Sequence, residues 1–96
     1  MASANVTLGR AYEFEADGTE RVATLNYRGG WVRCVHATVG AFINIEGSAV
    51  TTTQPAGTGH LYLPPATHEW TPLPADCGVF NFKATASTNI QYVKAP

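Results

Sequence analysis

The stretch that decides the fold runs from Ala41 to Pro74, AFINIEGSAVTTTQPAGTGHLYLPPATHEWTPLP. Its first five residues, Ala41 to Ile45, read as an alternating apolar strand that runs into a Gly47-Ser48 turn. A β-branched tract, Ala49 to Thr53, follows and favours extended backbone. A loop over Gln54 to Gly59 leads to His60-Leu61-Tyr62-Leu63, and Pro64-Pro65 then forbids continuation as a central strand. Nothing here carries the i, i+3, i+4, i+7 apolar stripe of a helix.

Outward from this block the period of two persists. On the N-terminal side, Val6, Leu8, Tyr12 and Phe14 alternate with Thr7, Gly9, Glu13 and Glu15, which reads as one half-buried strand with Arg10 at its rim. Asp17-Gly18 signals a tight hairpin into a strand over Glu20 to Tyr27. Gly29-Gly30 marks a reversal. Trp31 to His36, apolar on both faces, reads as a central strand with Trp31 in the core. Beyond the block, Thr67 to Thr71 reads as a short strand carrying Trp70. Phe80, Phe82 and Ala84 then alternate with Asn81, Lys83 and Thr85, turn at Ser87-Thr88-Asn89, and return through Ile90 and Tyr92 as a hairpin. This spacing predicts an all-β fold: a compact antiparallel β-sandwich of about eight or nine short strands with little or no helix. Jelly-roll and Greek-key connections are both open at this stage. The domain is expected over residues 6–96, preceded by a polar arm over residues 1–5.

The chain has 96 residues, room for one domain. A domain this size buries about 60–65% of its unfolded surface, so an oligomeric interface is expected. Apolar residues are 45% of the chain and charged residues 14%, against roughly 25% charged in typical soluble domains. With a net charge of -1 and scattered basic residues, nucleic acid is not an expected partner. No apolar run approaches the ~18 residues of a membrane span, and the N-terminus lacks the charged and apolar regions of a signal peptide. Synthesis in a reducing cytosol is therefore expected, with Cys34 and Cys77 free and buried rather than cross-linked.

Catalytic and metal readings are weak. Ser3, Ser48 and Ser87 sit in terminal or turn contexts, and Gly47-Ser48-Ala49 lacks the second glycine of a nucleophile elbow. Cys34, His36, His60, His68 and Cys77 match no paired-ligand spacing, so no metal is expected. Glu13 and Glu15 read as the solvated face of their strand rather than a carboxylate pair. The expectation is a protein that is not an enzyme and uses no cofactor. The aromatics Trp31, Trp70, Tyr12, Tyr27, Tyr62 and Tyr92 could instead stack on sugars, or serve burial.

The segments Phe42 to Ser48, Val50 to Thr53, Tyr62 to Pro65 and Tyr92-Val93, in a chain with fourteen Ala, twelve Thr and nine Gly, resemble small all-β virion proteins of tailed bacteriophages. Head decoration (cement) proteins are the most similar of these, and the resemblance covers Trp31 to the C-terminus. It implies a structural protein that binds the major capsid protein and itself, as a trimer, on the capsid surface after synthesis in the host cytoplasm. The expected contacts are Ala2, Ser3, Ala4 and Asn5, by strand addition, and Trp70 as an anchor. The alternative expectation is a small carbohydrate-binding or receptor-binding β-module associated with a tail or fibre.

Overall fold

A computed structural model describes residues 5–46, 59–66 and 69–95. Among the described residues nine strands carry the fold: β1 (Val6–Leu8), β2 (Ala11–Ala16), β3 (Arg21–Leu25), β4 (Gly30–Cys34), β5 (Ala41–Asn44), β6 (His60–Leu63), β7 (Thr71–Leu73), β8 (Val79–Lys83) and β9 (Thr88–Val93). They form a five-stranded sheet, β1-β3-β8-β5-β6, and a four-stranded sheet, β2-β9-β4-β7. The described residues hold no helix. The expected β-sandwich is therefore present.

Set β1 aside, and count the other eight strands along the chain. The two sheets then read 1-8-3-6 and 2-7-4-5, with every pairing antiparallel. That is the jelly roll, in which chain neighbours fall in opposite sheets. Among the described strands, only β5 and β6 are both consecutive and paired.

Three local readings are corrected by this topology. Val6 to Phe14 is not one strand: the chain breaks at Gly9-Arg10, β1 pairs in parallel with β3, and β2 pairs with β9 across the sandwich. Asp17-Gly18 is not a hairpin turn, because β2 and β3 lie in different sheets. Nor do β8 and β9 form the expected terminal hairpin. Tight turns were legible, but a short turn can also cross between layers. Five residue steps separate Ala16 from Arg21 and Lys83 from Thr88, ample for the ~10 Å between packed sheets. Asp17 Oδ1 accepts from Thr19 N at 2.9 Å and holds the first crossing. Ala84 N donates to Asp17 O at 2.8 Å and ties the two crossings side by side.

Crossing is favoured because each strand then turns its apolar parity inward from its own layer. Leu8, Phe14, Val32, Ile43, Leu63, Phe80, Phe82, Ile90 and Tyr92 are buried between the sheets. Phe14 of the four-stranded sheet meets Phe82 of the other edge-on, with centroids 4.9 Å apart and planes at 63°. Trp31, expected in the core, is only half-buried. Val32 takes the inward parity of β4, which leaves Trp31 on the outer face between Val93 and Pro72. The strand expected over Thr67 to Thr71 starts only at Thr71, with residues 67 and 68, like 47–58, outside the described residues.

Tyr92 secures the turn between β3 and β4. Its hydroxyl lies 2.6 Å from Gly29 O and 2.9 Å from Tyr27 O, so one proton serves two carbonyls. Burial, with a smaller contribution from Cys77, pushes its pKa up. Close approach of β4 requires glycine: Gly30 has φ of 114°, and a Cβ there would sit 2.5 Å from Val93 O and 2.9 Å from the Tyr92 ring.

Tyr92→Phe is expected to lower unfolding stability by about 1–3 kcal/mol, because it strands two carbonyls near the core. Gly30→Ala should cost more than ~1 kcal/mol, since strain at positive φ adds to the clash. Urea denaturation at fixed pH measures both, and an unchanged midpoint in either variant contradicts the packing described.

Candidate functional site

The outer face of the four-stranded sheet carries a hydrogen-bonded ladder that runs across its strands. In register, Glu13 of β2 lies opposite Gln91 of β9, which lies opposite Arg33 of β4. Arg33 Nε donates to Gln91 Oε1 at 2.9 Å, and Gln91 Nε2 donates to Glu13 Oε1 at 3.0 Å. Asn89 Nδ2 donates to Glu13 Oε2 at 2.7 Å. At the far end the Arg33 guanidinium lies 4.3 Å from the Trp70 ring centroid, a cation–π contact. Alternation explains the ladder: residues 88, 90 and 92 of β9 point into the core, so 89, 91 and 93 point out.

Electrostatics follow from the geometry. The amides of Gln91 first, then Asn89, stabilise the Glu13 carboxylate and lower its pKa from 4.5, although Glu13 is exposed. Its charge is offset two strands away by Arg33. A shallow groove of about 390 Å³ runs beside the ladder, with Trp70 on one side, Ala11 and Glu13 on the other, and Gln91 and Val93 between them. Trp70, expected as a contact residue, is 37% exposed and lines this groove. The ladder itself was not expected. Glu13 and the alternation of Asn89 and Gln91 were visible, but their meeting depends on β2 pairing with β9, not β8 with β9.

A second feature is the sheet edge at β2. Lys94 N donates to Arg10 O at 2.8 Å, opposite one another in the β2–β9 register. Bonded pairs alternate in an antiparallel ladder, so Tyr12, Phe14 and Ala16 turn their backbone groups to β9. The N–H and C=O groups of Ala11, Glu13 and Glu15 therefore face away from β9, along an edge that no strand among the described residues pairs with. Tyr12 beside them is 46% exposed. The opposite edges are blunted: β7 contains Pro72, and β6 runs into Pro64-Pro65.

Of the expected arm contacts, Ala2, Ser3 and Ala4 lie outside the described residues. Asn5 is anchored: its Oδ1 accepts from Val22 N at 3.0 Å, one step beyond the β1–β3 register.

The reactive groups have other occupations. Both thiols are free and buried. Cys34 Sγ contacts Val39 O and Thr88 Oγ1, each at 3.1 Å, and Thr88 Oγ1 donates to Val39 O at 2.6 Å. His36 Nδ1 accepts from Thr38 N and Val39 N, both at 3.1 Å, which closes the loop after β4. Asn44 Nδ2 lies 3.4 Å from His60 Nε2. Cys77 lies in a second depression of about 560 Å³ with Arg28, Glu46 and Asp76. Burial pushes its thiol pKa up from 9.0, which opposes thiolate formation. Among the described residues, no group of three or more His, Cys, Asp or Glu side chains could hold a metal ion.

Because the folded-state pKa of Glu13 is depressed, its contribution to stability is present above the ordinary value and is lost as pH falls through the folded value. Between about pH 6 and pH 3 the urea midpoint of Glu13→Gln should therefore fall less steeply than that of the wild type. Parallel pH profiles for the two proteins contradict the ladder.

The chain matches no known protein family, no curated protein and no solved structure.

Proposed function

We propose that this chain is a structural virion protein that decorates a phage head, binding the major capsid protein and stabilising the lattice without catalysis. The observation that carries this reading is the open edge of β2. A six-residue strand with no proline offers outward backbone groups at Ala11, Glu13 and Glu15, beside the exposed ring of Tyr12. An extended segment from a capsid subunit, or from another copy of this chain, gains main-chain hydrogen bonds there and packs on the tyrosine. Charge poverty fits the same role, since 14% charged residues leave much of the surface suited to contact with other chains. The jelly roll is itself an architecture found in virion proteins, which supports the reading by analogy of fold.

The protein acts as a symmetric trimer. Each copy makes a modest contact, and once one copy docks, its tethered neighbours see a high local concentration of lattice sites. The arm proposed for these contacts, Ala2 to Asn5, leads into β1, and its Asn5 bonds Val22 N. From there it can add to a sister subunit.

The test uses heads lacking the protein. Added wild type should bind them in negative-stain micrographs and raise their resistance to heat. Ala11→Pro removes an outward donor at the first residue of β2, where proline is tolerated, and leaves the β2–β9 bonds intact. It should remain folded and bind heads at least about tenfold more weakly. Undiminished binding by Ala11→Pro sinks the edge mechanism. A strictly monomeric mass by light scattering at high concentration sinks the trimer, and heads equally heat-stable with and without the protein sink the cement role.

A further inference from the structure

We infer that the outer face of the four-stranded sheet is a binding site for neutral oligosaccharide. It uses side chains of the sheet's outer face, whereas docking at the adjoining β2 edge uses backbone groups; Ala11, Tyr12 and Glu13 border both.

A pyranose presents an apolar C–H face bordered by hydroxyl groups that both donate and accept. Its binding surface is an aromatic plane next to paired donors and acceptors. Here Trp70, 37% exposed and lining the groove, supplies the plane, and Arg33 lies over one face of the indole and holds the ring. Within the same groove, Glu13 and Gln91 supply acceptors and an amide donor. Each Glu13 oxygen accepts one side-chain hydrogen bond, from Gln91 or Asn89, and a carboxylate accepts about four. Since the ladder already holds these side chains in place, little rotamer freedom is lost on binding.

Charge and size narrow the ligand. Glu13 and Glu15 share this face with the Arg33 guanidinium, so it carries both signs and disfavours a polyanion. A groove of about 390 Å³ lies near the lower end of small-ligand sites, roughly 300–1,000 Å³. It fits one or two sugar rings and is too small for a helix. Its openness along the sheet suits the end or the middle of a chain of sugars. The low-entropy pairing of a rigid aromatic with amide side chains is the same device that serves adaptable polar recognition elsewhere.

Isothermal titration and tryptophan fluorescence with maltohexaose, cellohexaose, mannohexaose and chitohexaose test the site, with a heparin hexasaccharide as the charged comparison. At least one neutral hexasaccharide should bind with Kd of about millimolar or tighter. Trp70→Ala should weaken that binding by about tenfold or more, with Trp70→Phe intermediate, because loss of the stacking plane removes the apolar contact. Gln91→Ala should weaken it through the ladder, which covers the case in which Trp70→Ala does not fold. Tyr62→Ala, on the other sheet, should bind sugar as the wild type does, and Gln91→Ala should bind heads as the wild type does, so that failure of sugar binding and failure of capsid docking are read separately. No binding of any neutral hexasaccharide up to ~10 mM overturns the proposal. So does wild-type affinity in both Trp70→Ala and Gln91→Ala, or binding of the heparin fragment alone.

Discussion

The rest of the structure depends on the contact between Phe14 and the two phenylalanines of β8. Phe14 comes from one sheet and Phe80 and Phe82 from the other, and all three rings lie within 6.3 Å of one another, centroid to centroid. Each buried ring contributes roughly 1.5–3 kcal/mol by removal from water, and each aromatic pair about 0.5–1.5 kcal/mol beyond that. In a domain with so thin a core, such a cluster is a large part of what opposes chain entropy. It also requires β2 and β8 to belong to different layers. Once they do, the turns at Asp17-Gly18 and Ser87 must cross the sandwich, and β2 and β9 become neighbours.

That neighbour relation builds the outer surface as well. β9 lies between β2 and β4 and works on both faces. Inward, Thr88 bonds Val39 O, Ile90 fills the core, and Tyr92 closes the turn before β4. Outward, Asn89 and Gln91 join Glu13 to Arg33. One strand therefore couples the packing of the interior to the geometry of the exposed ladder. The sheet edges differ for a related reason. Proline limits pairing along β6 and β7, while β2 carries none.

Much of the element structure was legible along the chain. His60 to Leu63 is a strand with the expected bounds, Val79 to Lys83 follows the alternation that predicts it, and β5 keeps it from Ala41 to Ile43, with Asn44 buried as well. Parity was ambiguous where apolar residues adjoin, as at Trp31-Val32, and there the larger ring was placed on the wrong side. Partners were not legible. A glycine-containing turn satisfies the same backbone requirements whether the next strand pairs beside the last or crosses to the facing layer, so Asp17-Gly18 could not report which.

The candidate site divides along the same line. Glu13, Asn89 and Gln91 are outward residues by alternation alone, and Trp70 is flanked by polar residues and prolines that favour exposure. Local sequence thus determined the all-β character, most strand positions and which side chains alternate, because these depend on steric preferences and periodicity within a few residues. Tertiary structure alone decided that the sandwich is a jelly roll, that Glu13 meets Gln91, and that Arg33 stacks on Trp70. Those contacts join residues up to 78 positions apart. They form only when the two sheets enclose the phenylalanine cluster, an interaction that no short window of sequence contains.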